Sequence, residues 1–132
     1  MTDSALALQA SETILARKQQ LAQRITDALY ATNPALQGRF GGAGRAKCLQ
    51  DMGYCLEHLA PAVVLEDPTL FARYVLWLEQ LLAVRAVGSE DVRRSLEAMQ
   101  EILAVELSPA EAACVRPCIA AGLSALAQPS AT

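Results

Sequence analysis

Apolar residues recur every three or four positions along most of the chain, and nowhere do they alternate with polar ones as a half-buried strand requires. A first periodic stretch runs from near Ser11 to Tyr30, with Ile14, Leu15, Leu21, Ile25 and Leu29 at helical spacing. Ser11 offers it a cap, and "ATNPAL" stops it. A short helical turn then leads to "FGGAG", residues 40–44, whose three glycines permit a sharp change of direction. A second long helix is predicted from about Arg45 to Val64, with Pro61 near its end. Asp67 and Pro68 open a third, running to about Arg85. Ser89, followed by Glu90 and Asp91, opens a fourth with the acids that a helix N-terminus favours. Ser108-Pro109 repeats that signature for the last, to about Ala127, and the tail "QPSAT" is expected to be loose. The pattern gives about five helical stretches, no strand, and one all-α domain over residues 1–132.

Composition sharpens this picture. Hydrophobic residues make up 53% while aromatics are only 5%, so Leu, Ala and Val carry the apolar content. That leaves apolar surface for a ligand, a second copy of the chain or a signalling partner. The net charge is −3 with eleven scattered Lys and Arg, which offers no basic stripe for phosphates and excludes nucleic acid as a partner. No continuous apolar run reaches the roughly 18–20 residues that span a bilayer, so no membrane partner is expected. The N-terminus lacks a basic segment followed by an apolar one, and the expected compartment is the cytoplasm.

The four cysteines are Cys48, Cys55, Cys114 and Cys118. On one helix Cys48 and Cys55 stand about 10 Å apart, too far for a disulfide, and free thiols are expected throughout. Neither pair has the spacing of a metal motif, and the single histidine cannot complete a zinc site.

Candidate chemistry concentrates in "RAKCLQDMGYCLEHLA", residues 45–60. At 100° per residue Leu49, Met52, Leu56, Leu59 and Val63 form the core side of this helix. Cys48, Asp51, Cys55 and His58 line one flank of that apolar stripe, with Lys47 and Tyr54 just outside. Each has a bland reading: the cysteines as small hydrophobes, His58 and Tyr54 as boundary residues, Asp51 as a surface ion pair with Lys47. A carboxylate beside an apolar stripe must nevertheless find a donor or stay wet. Catalysis is not expected, because Cys48 and His58 are almost three turns apart and nothing is placed to orient the imidazole.

The stretch "KCLQDMGYCL", residues 47–56, resembles the chromophore helix of phycobiliproteins, above all their α-type subunits, whose pattern is K-C-x-R-D-x-G-Y-Y-L. "LAQRITDALYATNP", "LEAMQEIL" and "SPAEAACVRPCIAAGLSALA" are similar to other helices of that family in order and spacing, so the resemblance covers roughly residues 5–127. It extends to the globin-like bilin-binding domains of some bacterial photoreceptors. The resemblance implies a globin-like fold holding a linear tetrapyrrole (a bilin of biliverdin or phycocyanobilin type). It implies Cys48 as the thiol that forms a thioether to ring A, Asp51 as acceptor of the inner pyrrole N–H groups, and Lys47 as a propionate contact. Tyr54, Cys55 and His58 would line the pocket, with Tyr74 or Trp77 as the opposite wall.

The sequence also departs from the family pattern. Gln50 replaces an Arg that clamps a propionate, Cys55 replaces a Tyr, and Arg94 and Ser95 stand where the family has an aromatic pair. Arg45, Arg73 and Arg85 are the candidates to replace the lost clamp. The N-terminal region is shorter than in antenna subunits, which favours a stand-alone pigment protein or sensor module. Two rival readings are haem binding with His58 as axial ligand, and a pigment-free helical module that dimerises.

Overall fold

The computed structural model describes residues 3–127, and the tail expected to be loose lies outside them. Six helices follow one another: α1 Asp3–Ala16, α2 Lys18–Thr32, α3 Ala35–Val64, α4 Pro68–Ala83, α5 Ser89–Glu106 and α6 Pro109–Ala127. There is no strand among the described residues.

The boundaries set by local chemistry fall where the sequence puts them. Asp67 accepts from the Thr69 amide at 3.2 Å with Pro68 in the first turn of α4. Asp91 reaches back to the Gly88 amide at 3.2 Å to open α5. At α6, Ser108 and Glu111 cap each other reciprocally, each side chain accepting from the other's amide at 3.2 and 3.1 Å.

One boundary differs from expectation. The first predicted helix starts earlier, at Asp3, and is two helices broken at Arg17 (φ −108°, ψ 18°). Arg17 is neither Gly nor Pro. Its guanidinium donates to the Glu106 carbonyl at 2.9 Å and to the Glu106 carboxylate at 2.6 Å, so a contact with the far end of α5 fixes the bend. The bend lets α1 pack on α3 and α6 while α2 packs on α3 and α5. The glycine segment makes the expected change of direction: within the Ala35–Val64 span two helical stretches meet at a kink at Gly41 (φ 68°, ψ −167°), a conformation that is essentially glycine's alone.

α3 and α6 take the middle of the packing, with α1 and α4 against α6 and α1 and α2 against α3. Ile14, Ile25, Leu56, Leu59, Phe71, Val75, Leu96, Met99 and Ile119 are fully buried at their meeting. Of the predicted core stripe on α3, Met52, Leu56, Leu59 and Val63 are buried and Leu49 is half-buried. Gly122 lets α6 approach α4 closely: a methyl there would stand 3.0 Å from Val75 and 3.3 Å from Phe71. α6 is long and apolar enough to cross a membrane by length and composition, with a mean hydropathy of 1.3 over an 18-residue window, although Glu111 and Arg116 interrupt its apolar run. In this fold α6 buries Val115, Cys118 and Ile119 against its neighbours.

Gly41 sets how the start of α3 approaches the rest of that helix. Gly41→Ala is expected to cost about 1–3 kcal/mol, whereas the neighbouring Gly42→Ala, in open space and with ordinary backbone, should cost far less. Chemical denaturation of the two variants tests this, and equal costs would contradict it.

Candidate functional site

A cleft lies beside the N-terminal half of α3, on both sides of the Gly41 kink. Its walls are the end of α2 (Leu29, Tyr30, Asn33), the N-terminal half of α3 (Leu36, Phe40, Gly44, Lys47, Cys48, Asp51, Met52) and the α4–α5 connection (Leu82, Arg85, Val87, Asp91, Arg94, Ser95). The cavity measures about 180 Å³, is mainly apolar and opens to solvent on one side. Phe40 packs over Gly44, where a methyl would come within 2.2 Å of the Phe40 Cβ, so a small residue is required at this lip.

Asp51 is the charged group set deepest in the cleft, its side chain only 13% exposed. Arg85 Nη2 donates to its Oδ2 at 3.3 Å. Lys47 lies one turn away but its Nζ donates to Gln50 Oε1 at 3.1 Å, so it acts on Asp51 through space. Burial raises the Asp51 pKa above the ordinary carboxylate value, and the pull of Arg85 and Lys47 does not fully offset it. Cys48 lies one turn before Asp51. Burial lifts its thiol to about 11, helped by the Asp51 charge and opposed by Thr26 and Arg45. The Thr26 hydroxyl is fully buried without a well-formed hydrogen bond, and the Cys48 thiol is the polar group it acts on.

A second carboxylate at the rim is held differently. Arg39 grips Asp91 with two bonds of 3.2 and 3.1 Å, and the same Asp91 caps α5. Arg94 leans on Glu90 at 3.3 Å.

Of the eleven residues singled out in the sequence, the structure brings Lys47, Cys48, Asp51 and Arg85 together in the cleft. Arg45 stands behind it: its guanidinium bonds Asp27 at 2.6 Å and lies 4.7 Å over the ring of Tyr30, a cleft wall. The other six lie outside the cleft, on α4 and on the part of α3 beyond Asp51, where the two helices meet. Cys55 is fully buried, and burial pushes its thiol up to about 12 against the opposing pull of the Tyr74 hydroxyl. His58 stacks on Tyr74 at 4.0 Å and 13°, and its Nδ1 is 2.9 Å from the Tyr54 carbonyl. Tyr54 is exposed and accepts from Gln50 at 3.2 Å. Trp77, 5.8 Å from Tyr74, is also exposed. Tyr74 and Trp77 therefore do not form the wall opposite Cys48; the α4–α5 connection does. His58 faces away from the cleft, so a haem set there would not meet its one imidazole.

Sequence reasoning passed over Tyr30 and Phe40 as punctuation at helix ends. It passed over Asp91 as a helix-start acid. Arg94 and Ser95 were visible as departures from the family pattern, and both line the cleft.

Fold and cleft together define a helical protein that holds a carboxylate and a thiol, one turn apart, against a mainly apolar cleft suited to a flat, partly polar ligand. The model of the family described as Phycobilisome protein matches residues 1–126, and the chain belongs to that family. Its members are non-enzymatic pigment proteins that bind linear tetrapyrroles in an all-α, globin-like fold, and the architecture here agrees with it. Neither the curated proteins nor the solved structures contain a significant match.

The raised pKa of Asp51 has a consequence for stability. The folded protein holds this proton more tightly than the unfolded chain, so stability is lost as pH rises through the folded value and the penalty persists at neutral pH. Asp51→Asn should therefore raise the midpoint of thermal unfolding at pH 7. The gain should vanish below about pH 4, where both states carry the proton. A lower midpoint for the variant at pH 7 would contradict this.

Proposed function

We propose that the protein binds a linear tetrapyrrole of the biliverdin or phycocyanobilin type in the cleft between α2, α3 and the α4–α5 connection. It would catalyse no reaction and would serve in the cytoplasm as a light-sensing or pigment-carrying module. The observation that carries this reading is Asp51: a half-buried carboxylate, raised in pKa and held by one long ion pair, at the floor of a cleft in a family that binds bilins. A bilin supplies inner N–H donors and becomes cationic when protonated, so a carboxylate beside it settles both protonation and conformation.

In this arrangement Asp51 accepts from the inner N–H groups, while Tyr30, Phe40 and Met52 shield the rings from water. Cys48 stands one turn away, at the distance of a ring end from the ligand's middle. Its thiol keeps its proton at neutral pH, so it is a weak nucleophile unless the approaching ligand or a base removes that proton. The cavity is smaller than the roughly 300–1,000 Å³ that encloses a drug-sized ligand. A tetrapyrrole must extend over the mouth, past Arg85, Val87 and Arg94. Leu76, Trp77, Leu81 and Val84 are exposed along α4 and favour a homodimer or a signalling partner on that face.

Adding biliverdin or phycocyanobilin should give a sharpened red absorbance band that Asp51→Ala weakens or shifts. With phycocyanobilin, any thioether at Cys48 should form faster as pH rises, by about tenfold per unit below the thiol pKa, read by zinc fluorescence on denaturing gels. No binding of either bilin would overturn the proposal, and a spectrum indifferent to Asp51→Ala would remove that residue from the site.

A further inference from the structure

We infer that Arg85 is a displaceable counterion, occupying the Asp51 carboxylate while the cleft is free and turning to a propionate of the ligand when the ligand's N–H groups take Asp51. The inference rests on the tetrapyrrole reading of the cleft and assigns a specificity residue that reading lacks, the replacement for the arginine that Gln50 displaced.

Three observations carry it. The first is the weakness of the existing pair. Arg85 reaches Asp51 through one nitrogen and one oxygen at 3.3 Å, whereas Arg39 holds Asp91 through both nitrogens at 3.2 and 3.1 Å. A bidentate fork is the strong form of this contact, and Asp51 does not have it. The carboxylate has about four acceptor positions, and the hydrogen bond from Arg85 uses one of them.

The second is position. Arg85 leaves the chain just past α4, where its amide donates to the Leu82 carbonyl at 2.9 Å and Ala86 turns left-handed at φ 62°. This puts the guanidinium at the cleft's lip and one-third exposed, with its partner below it and the mouth beside it. Of the other cations, Lys47 lines the cleft but is a point charge without the guanidinium fork, and Arg94 lines it while paired with Glu90 at 3.3 Å. Arg45 is bound to Asp27 at 2.6 Å and stacked on Tyr30, and exposed Arg73 does not line the cleft.

The third is charge conservation. Removing Arg85 from Asp51 without replacement would leave a buried charge bare, which is strongly unfavourable. A ligand that brings N–H donors and a carboxylate lets both protein charges change partners together. The exchange asks for a ligand carrying both groups and disfavours one whose carboxylates are blocked.

Biliverdin and its dimethyl ester separate these possibilities, titrated into the wild-type protein, Arg85→Ala and Arg85→Lys. Arg85→Ala should weaken biliverdin about tenfold, while the diester, which has no carboxylate to offer, should bind as well as to wild type or better because the competitor for Asp51 is gone. Arg85→Lys should recover part of the biliverdin affinity. In the pigment-free protein, carboxyl NMR should show Asp51 titrating at higher pH in Arg85→Ala than in wild type. Equal losses for the two ligands, no loss for either, or an Asp51 titration indifferent to Arg85 would overturn the exchange while leaving the tetrapyrrole reading standing. A wild-type protein that binds neither ligand would overturn both.

Discussion

Asp51 is a charge placed where burial and attraction nearly cancel, and the arrangement of the cleft follows from keeping it there. Deeper in the protein the carboxylate would need a full set of donors, and nearer the surface water would satisfy it. Half-buried, with Arg85 on one oxygen and Lys47 acting through space, it holds a pKa above the ordinary value and keeps acceptor capacity in reserve. The kink at Gly41 matters because Leu36 and Phe40, on the stretch before it, line the cleft that holds the acid. The α4–α5 connection matters because it brings the counter-charge. A folded protein that retains an acid at a cost in its own stability is arranged for something that acid binds.

Much of the frame was legible in the chain. Asp67-Pro68 and Ser108-Pro109 mark helix starts by local hydrogen bonding, and those starts are observed. The α3 core stripe was readable from its period because Met52, Leu56, Leu59 and Val63 recur at helical spacing and are buried. The break at Arg17 was not readable, since nothing at that position disfavours a helix; a contact with Glu106, 89 residues away, makes the bend. The glycines were readable, because a backbone conformation open only to glycine, taken at Gly41, makes the change of direction they permit.

The site was legible by halves. Helical spacing put Cys48, Asp51, Cys55 and His58 on one line, and the line exists. Spacing on one helix does not say where a neighbour covers that line. α4 packs beside the C-terminal part, where Cys55 is buried and His58 is a surface ring stacked on Tyr74. The N-terminal part, Lys47 to Asp51, lines the cleft. The far wall comes from residues more than thirty positions on in sequence, and no local pattern announces them. Family membership limits the ligand class, while Gln50, Arg94 and Ser95 show that this cleft meets its ligand with its own set of polar groups.

The central claim is that the ligand occupies the cleft beside Asp51. Amide NMR spectra of the protein with and without biliverdin test it most directly, because every element reports its own location. The account predicts shifts concentrated at the end of α2, at residues 40–52 of α3 and at the α4–α5 connection. Shifts centred instead on His58, Tyr74 and Trp77, or on Cys114 and Cys118 of α6, would contradict it.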